Sequence, residues 1–167
     1  MSVEEHKRSS HAQIGFAILT VSDSRTKKND GSGQLIFSLL EKNGHLCSAY
    51  LIVPDDRAKI SSAIKKLLQR DDIEAIIVNG GTGISERDVT FEALDELYEK
   101  KLDGFGELFR MLSYSRIKSA SIMSRASAGI SKGKIIFSLP GSPSAVRLAM
   151  EKIILLETAH IIHEMSR

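Results

Sequence analysis

A chain of 167 residues is long enough for one domain with a real core, and 42% hydrophobic with 26% charged residues is an ordinary soluble globular balance. A net charge of +2 is too mild to argue for nucleic acid, and one cysteine excludes an internal disulfide framework and any cysteine-based zinc site. No apolar run approaches a membrane span or a signal core, so the chain is expected to be cytoplasmic, without nucleic-acid or membrane partners.

Residues 1–13, with His6 and His11, are polar and aperiodic and read as a flexible N-terminal arm; residues 14–167 read as a single domain without repeats or linkers. "IGFAILTV" (Ile14–Val21) is a continuous apolar run, the mark of a strand buried on both faces. "GQLIFSLLEKN" reads as a helix closed by a glycine cap at Gly44. "HLCSAYLIV" (His45–Val53) is a second strand stopped by Pro54, with Cys47 as a small core residue. In "DRAKISSAIKKLLQR", Ile60, Ile64, Leu67 and Leu68 share one helical face. "EAIIV" is a third strand, broken by the glycines that begin at Gly80.

Thr90–Leu97 and Phe105–Leu112 follow helical patterns, and "FRMLSY" reads as helix core with Ser113 on the exposed side. "KIIFSL" (Lys134–Leu139) is a further strand. "PGSPSAV" opens a long closing helix, with Ser142 as N-cap and Pro143 at the first helical position. His160 and His163 share a face of that helix, but two ligands without a third do not make a metal site.

Strands alternating with helices predict a three-layer α/β/α fold around a mainly parallel sheet. Ligands of such sheets bind beyond the carboxyl ends of the strands. The segments there are "SDSR" (Ser22–Arg25), "PDDR" (Pro54–Arg57), "GGTGISERD" and "PGSPS", the most glycine-, serine- and aspartate-rich of the chain. A parallel sheet puts all four along one edge.

"GGTG" after a strand suits a phosphate, because amides at a helix start carry partial positive charge and glycines admit an oxyanion closely. Alone it reads equally as a tight turn with no ligand; the second turn, "PGSPS", favours the anion. There is neither a Walker loop nor a dinucleotide fingerprint. Asp55 and Asp88 are the candidate carboxylates, since phosphoryl and nucleotidyl transfer commonly use a magnesium ion held by one or two of them. Taken singly, each reads first as a helix cap, Asp88 near Val89 and Asp55 or Asp56 near Arg57. The two roles are compatible, and Arg25, Arg57 and Arg87 suit an anionic ligand.

In combination, "GGTGISERDVTFEAL", "GFGELFRMLSYSRI" and "IMSRASAGISKGKIIFSLPGSPSAV" resemble the molybdenum cofactor biosynthesis family of the MoaB and MogA proteins, whose domain recurs as the G domain of gephyrin-like proteins. "VSDSR" and "VPDD" match the family's first two loops in order, and the resemblance, closer to MoaB, runs from about Ile14 to the closing helix. It implies a homo-oligomer, a trimer or dimer of trimers, that works beside other cofactor-biosynthesis proteins. It also implies magnesium-dependent transfer of AMP from ATP to the terminal phosphate of molybdopterin.

By the same resemblance Asp55 and Asp88 are the catalytic carboxylates and the magnesium ligands. Gly80, Gly81, Thr82 and Gly83 form the phosphate-cradling loop. Ser113, Ser124 and the Pro140–Gly141–Ser142 turn line the pterin and nucleotide pocket, with Ser22 and Asp23 in the first loop. Three positions depart from the family pattern: Phe91 and Asp103 stand where proline is frequent, and Ser138 where several active members have a pocket asparagine. Two alternatives stand beside it: a catalytically silent oligomer that uses the same pocket only to bind molybdopterin or a cofactor intermediate, and a nucleotide-linked hydrolase, since related folds occur in pyridine-nucleotide salvage proteins.

Overall fold

The computed structural model describes residues 13–167, so the expected arm, with His6 and His11, lies outside the described residues except for Gln13. One sheet of six strands organises the fold: β1 (Gly15–Val21), β2 (Leu46–Val53), β3 (Ala75–Asn79), β4 (Lys100–Lys101), β5 (Ser127–Ser131) and β6 (Lys134–Leu139), in the order β2-β1-β3-β6-β5-β4. The first four in that order run parallel, and β5 and β4 complete one side in antiparallel pairing.

Alternation along the strands divides the core between the two faces. Phe16, Ile18, Ile77, Ile135 and Phe137 point to one face, where they meet α1 (Gly31–Lys42), α4 (Asp103–Ile117), α5 (Pro143–Ala149) and α6 (Leu155–Met165). Ala17, Leu19, Ile76, Val78 and Ile136 point to the other, covered by α2 (Arg57–Leu68) and α3 (Thr90–Asp95). This is the expected three-layer arrangement. Strand β1 is buried at every residue, as its unbroken apolar run requires. Among the described residues no helix is long and apolar enough to cross a membrane.

Several local expectations change. Helix α4 is longer than Phe105–Leu112 because its end turns stay helical, and α3 is shorter than Thr90–Leu97. Ser113 is buried rather than exposed, since α4 turns that face towards the core beside Phe109. The closing helix passes through a π-helical stretch, Met150–Ile154, between α5 and α6. Ser142 caps α5 as expected, accepting from the Ala145 amide with Pro143 behind it.

Candidate functional site

Because β1, β2, β3 and β6 are parallel, the loops after them emerge at one edge. A buried polar network ties these strand ends together. Asn79 Nδ2 donates to Thr20 Oγ1 at 2.9 Å, and Thr20 Oγ1 and the Tyr50 hydroxyl donate to Asp30 Oδ2 at 2.5 and 2.7 Å. The other Asp30 oxygen caps α1 by accepting from the Gly33 amide. From the next turn Ser32 Oγ donates to the Gly141 carbonyl at 2.6 Å, carrying the network to the last loop. Sequence reading misses Asp30, because nothing local distinguishes a buried cap from an exposed one.

The loop after β3 has a marked directionality. Gly80 and Gly81 adopt φ of +102° and +66°, a region that glycine enters freely. The carbonyls of Gly80 and Gly81 accept from Thr90 Oγ1 and the Thr90 amide. Those of Thr82 and Gly83 accept from the amide and the Nε of Arg125. Each trans peptide unit points its N–H opposite to its C=O. The amides of Gly81, Thr82 and Ile84 are therefore directed away from these interior donors, while that of Gly83 donates to the Asp88 carboxylate. Amides turned outward in this way suit an anion.

The carboxylates lie against this loop. A Cβ on Gly81 would stand 2.9 Å from Asp55 Oδ1, and one on Gly83 2.8 Å from Asp88 Oδ2. Asp88 does not cap α3, whose N-cap is Val89. Its carboxylate instead turns back to accept from the Ser85 amide and hydroxyl at 3.0 and 2.6 Å. The cap of α2 is Asp56, accepting from the Lys59 amide, which leaves Asp55 free of that duty. Asp23 Oδ1 accepts from the Asp55 amide at 3.1 Å, and its other oxygen pairs with Arg87.

Electrostatics separates the three acids. Burial pushes the Asp55 carboxyl up, and the charges of Asp23 and Asp88 push it further. Partial burial also raises Asp88, but hydrogen bonds from the Ser85 hydroxyl and the Ser85 and Gly83 amides outweigh it and leave the carboxyl lowered. The Arg87 hydrogen bond lowers Asp23. Among the described residues no three histidine, cysteine or acidic side chains form a metal cluster. The negative charge gathered at Asp55, only partly offset by Arg87, and its hard oxygen donors nevertheless fit a magnesium ion that takes further ligands from a phosphate.

A cavity of about 420 Å³ opens beside the loop. Gly81, Thr82, Gly83 and Asp88 form one side. Ser113 and Ser124 line a second side, and Pro140, Gly141 and Ser142 a third. Phe109, Ile117, Met123 and Leu148 supply an apolar wall, and Arg116 a cation. Gly80 packs backbone to backbone under Gly141, where a Cβ would lie 3.2 Å from the Gly80 Cα. Ser22 and Asp23 lie instead in a shallow groove with Arg25, Lys27 and Tyr50, and Asp55 stands behind Gly81 rather than on the cavity wall.

Two departures from the motif pattern acquire a physical setting. The Phe91 ring lies 5.3 Å from the guanidinium carbon of Arg125. Asp103 begins α4, where its charge favours the helix start. Ser138 supplies no hydrogen bond to the cavity: it alternates with Phe137 and Leu139, so it faces the α2 and α3 side, and its hydroxyl is buried without a partner among the described residues. Arg125, which knits the loop together, sits inside a motif segment but offers no sequence sign of that role.

A family model described as "Probable molybdopterin binding domain" matches residues 17–160. The molybdenum cofactor biosynthesis protein B of Bacillus anthracis is 48% identical over 168 residues, covering 100% of this chain and 99% of that protein. A crystal structure of a molybdenum cofactor biosynthesis protein B superposes with a TM-score of 0.91 at 46% identity, covering 93% of this chain and 98% of the other. The tungsten cofactor synthesizing protein MoaB from Pyrococcus furiosus superposes with a TM-score of 0.85 at 37% identity, over 93% and 98%.

Proposed function

The chain belongs to the molybdopterin-binding family of molybdenum cofactor biosynthesis proteins, and from that premise we propose that it is a molybdopterin adenylyltransferase acting on ATP with magnesium. The observation that carries this reading is the loop from Gly80 to Gly83, whose carbonyls are all engaged from inside, which turns the Gly81, Thr82 and Ile84 amides away from those donors beside Asp55 and Asp88. Such a loop suits a phosphate-rich ligand, and the adjoining cavity adds an apolar wall for a flat heterocycle.

In the proposed reaction an oxygen of the pterin's terminal phosphate attacks the α-phosphorus of ATP. A new P–O bond forms, the bond to the β-phosphate bridge breaks, and pyrophosphate leaves. The residues of the chain act by position and charge rather than through a covalent intermediate. The amides of Gly81, Thr82 and Ile84 hold phosphate oxygens, Arg116 and Arg87 balance charge, and Ser113, Ser124 and Ser142 orient the pterin side. Asp55 and Asp88 would hold magnesium, which supplies charge neutralisation on the phosphates. The reaction is proposed to run in the cytoplasm, in a homo-oligomer that is a trimer or dimer of trimers.

The test is adenylylated pterin formation by purified protein with molybdopterin, ATP and magnesium. Wild type is expected to turn over, and Asp88→Asn to fold but to lose at least about a hundredfold in rate. Pterin binding without product in wild type would support a second reading, a non-catalytic carrier of molybdopterin or a cofactor intermediate.

A further inference from the structure

One guanidinium closes the site loop at both ends. Arg125 Nε donates to the Gly83 carbonyl at 2.8 Å and Nη2 to the Asp88 carbonyl at 2.7 Å. The Glu92 carboxylate accepts from Nη1, and the Phe91 ring lies beside the guanidinium. The Arg125 amide adds a bond to the Thr82 carbonyl at 3.1 Å. Between the bracketed carbonyls lies the exposed stretch Ile84–Arg87, with Ile84 70% exposed. That stretch has its own internal turn bonds and the Arg87–Asp23 pair, but no core packing.

We propose that Arg125 is a positioning residue: by drawing the Gly83 and Asp88 carbonyls to one planar group it fixes where the loop amides and the Asp88 carboxylate meet an anionic ligand. The proposal rests on the phosphate-binding part of the reading above and not on adenylyl transfer itself. Lysine would keep the charge, but a single ammonium lacks the fixed fork that serves two carbonyls and a carboxylate in one plane. Phe91 supplies a face against which that plane is kept, so a position where the family often has proline becomes part of the bracket.

The deciding experiment titrates isotope-labelled full-length protein with inorganic tripolyphosphate and follows the Gly81, Thr82 and Ile84 amide resonances. In wild type these amides should shift together. Arg125→Lys should melt within a few degrees of wild type yet bind about tenfold more weakly, with the Ile84 shift reduced most. Glu92→Gln, which leaves the arginine but loosens its anchor, should weaken binding by about two- to threefold and serves if Arg125→Lys folds poorly. A wild-type response matched by unchanged affinity and shifts in both variants would overturn the role of Arg125. No response of these amides in wild type would overturn the phosphate cradle, and the bracket with it.

Discussion

Asp55 ionises against its surroundings: burial and the charges of Asp23 and Asp88 raise its carboxyl, with Arg87 a partial offset. A raised acid weakens the fold at pH values above its folded pKa, and has no effect below the ordinary aspartate value of about 3.9, where both states are protonated. Asp55→Asn is therefore expected to melt higher than wild type at neutral pH, with the gain vanishing as the pH falls below that value. Asp88 has the opposite sign. Its lowered carboxyl contributes stability above the ordinary value that is lost as pH falls through the folded one, so Asp88→Asn should melt lower at neutral pH. Thermal melts of the two variants across pH check both; parallel curves for wild type and variants would mean that folding shifts neither carboxyl. The same contrast makes Asp55 the first of the pair to protonate on acidification, so the proposed magnesium site should weaken from that side.

At the scale of elements, what the sequence makes legible follows what each segment can do alone. Strands β1, β3 and β6 announce themselves as apolar runs because both faces are covered. Strand β5, "SAGIS", has side chains too small and polar to signal a strand; Gly129 is required because a Cβ there would meet the Tyr98 ring at 2.4 Å, a tertiary fact. The site loops were legible by composition, but their directionality was not, since it depends on Thr90 and Arg125 reaching the loop from elsewhere in the chain. Gly80 offers a direct check. Alanine there would have to hold φ of +102° with its Cβ 2.2 Å from the Val21 carbonyl oxygen, and should cost about 2 kcal/mol or more in urea denaturation. Gly44→Ala, with φ of +76° in open space, should cost only about 1 kcal/mol.

For the whole molecule, one face stands out. Met111 and Tyr114 on α4, with Ile122 just after it, leave large apolar side chains exposed outside the cavity, Ile122 at 79%. Such a surface supports the proposed self-association. Sedimentation should find an oligomer for wild type, and Ile122→Glu should shift it towards monomer; a wild-type monomer at micromolar concentration would count against the proposal. The sheet order carries a different consequence. The cavity spans the junction of β3 and β6, where the Gly80 amide donates to the Leu139 carbonyl, and those strands are separated by the whole of residues 80–133. During synthesis three of the four site loops are made well before the last, and both Arg125 and the Pro140–Ser142 turn arrive only near the end. No early fragment of the chain therefore completes the proposed site, and a ligand of that site could rescue a misfolding variant only after β6 has emerged and paired.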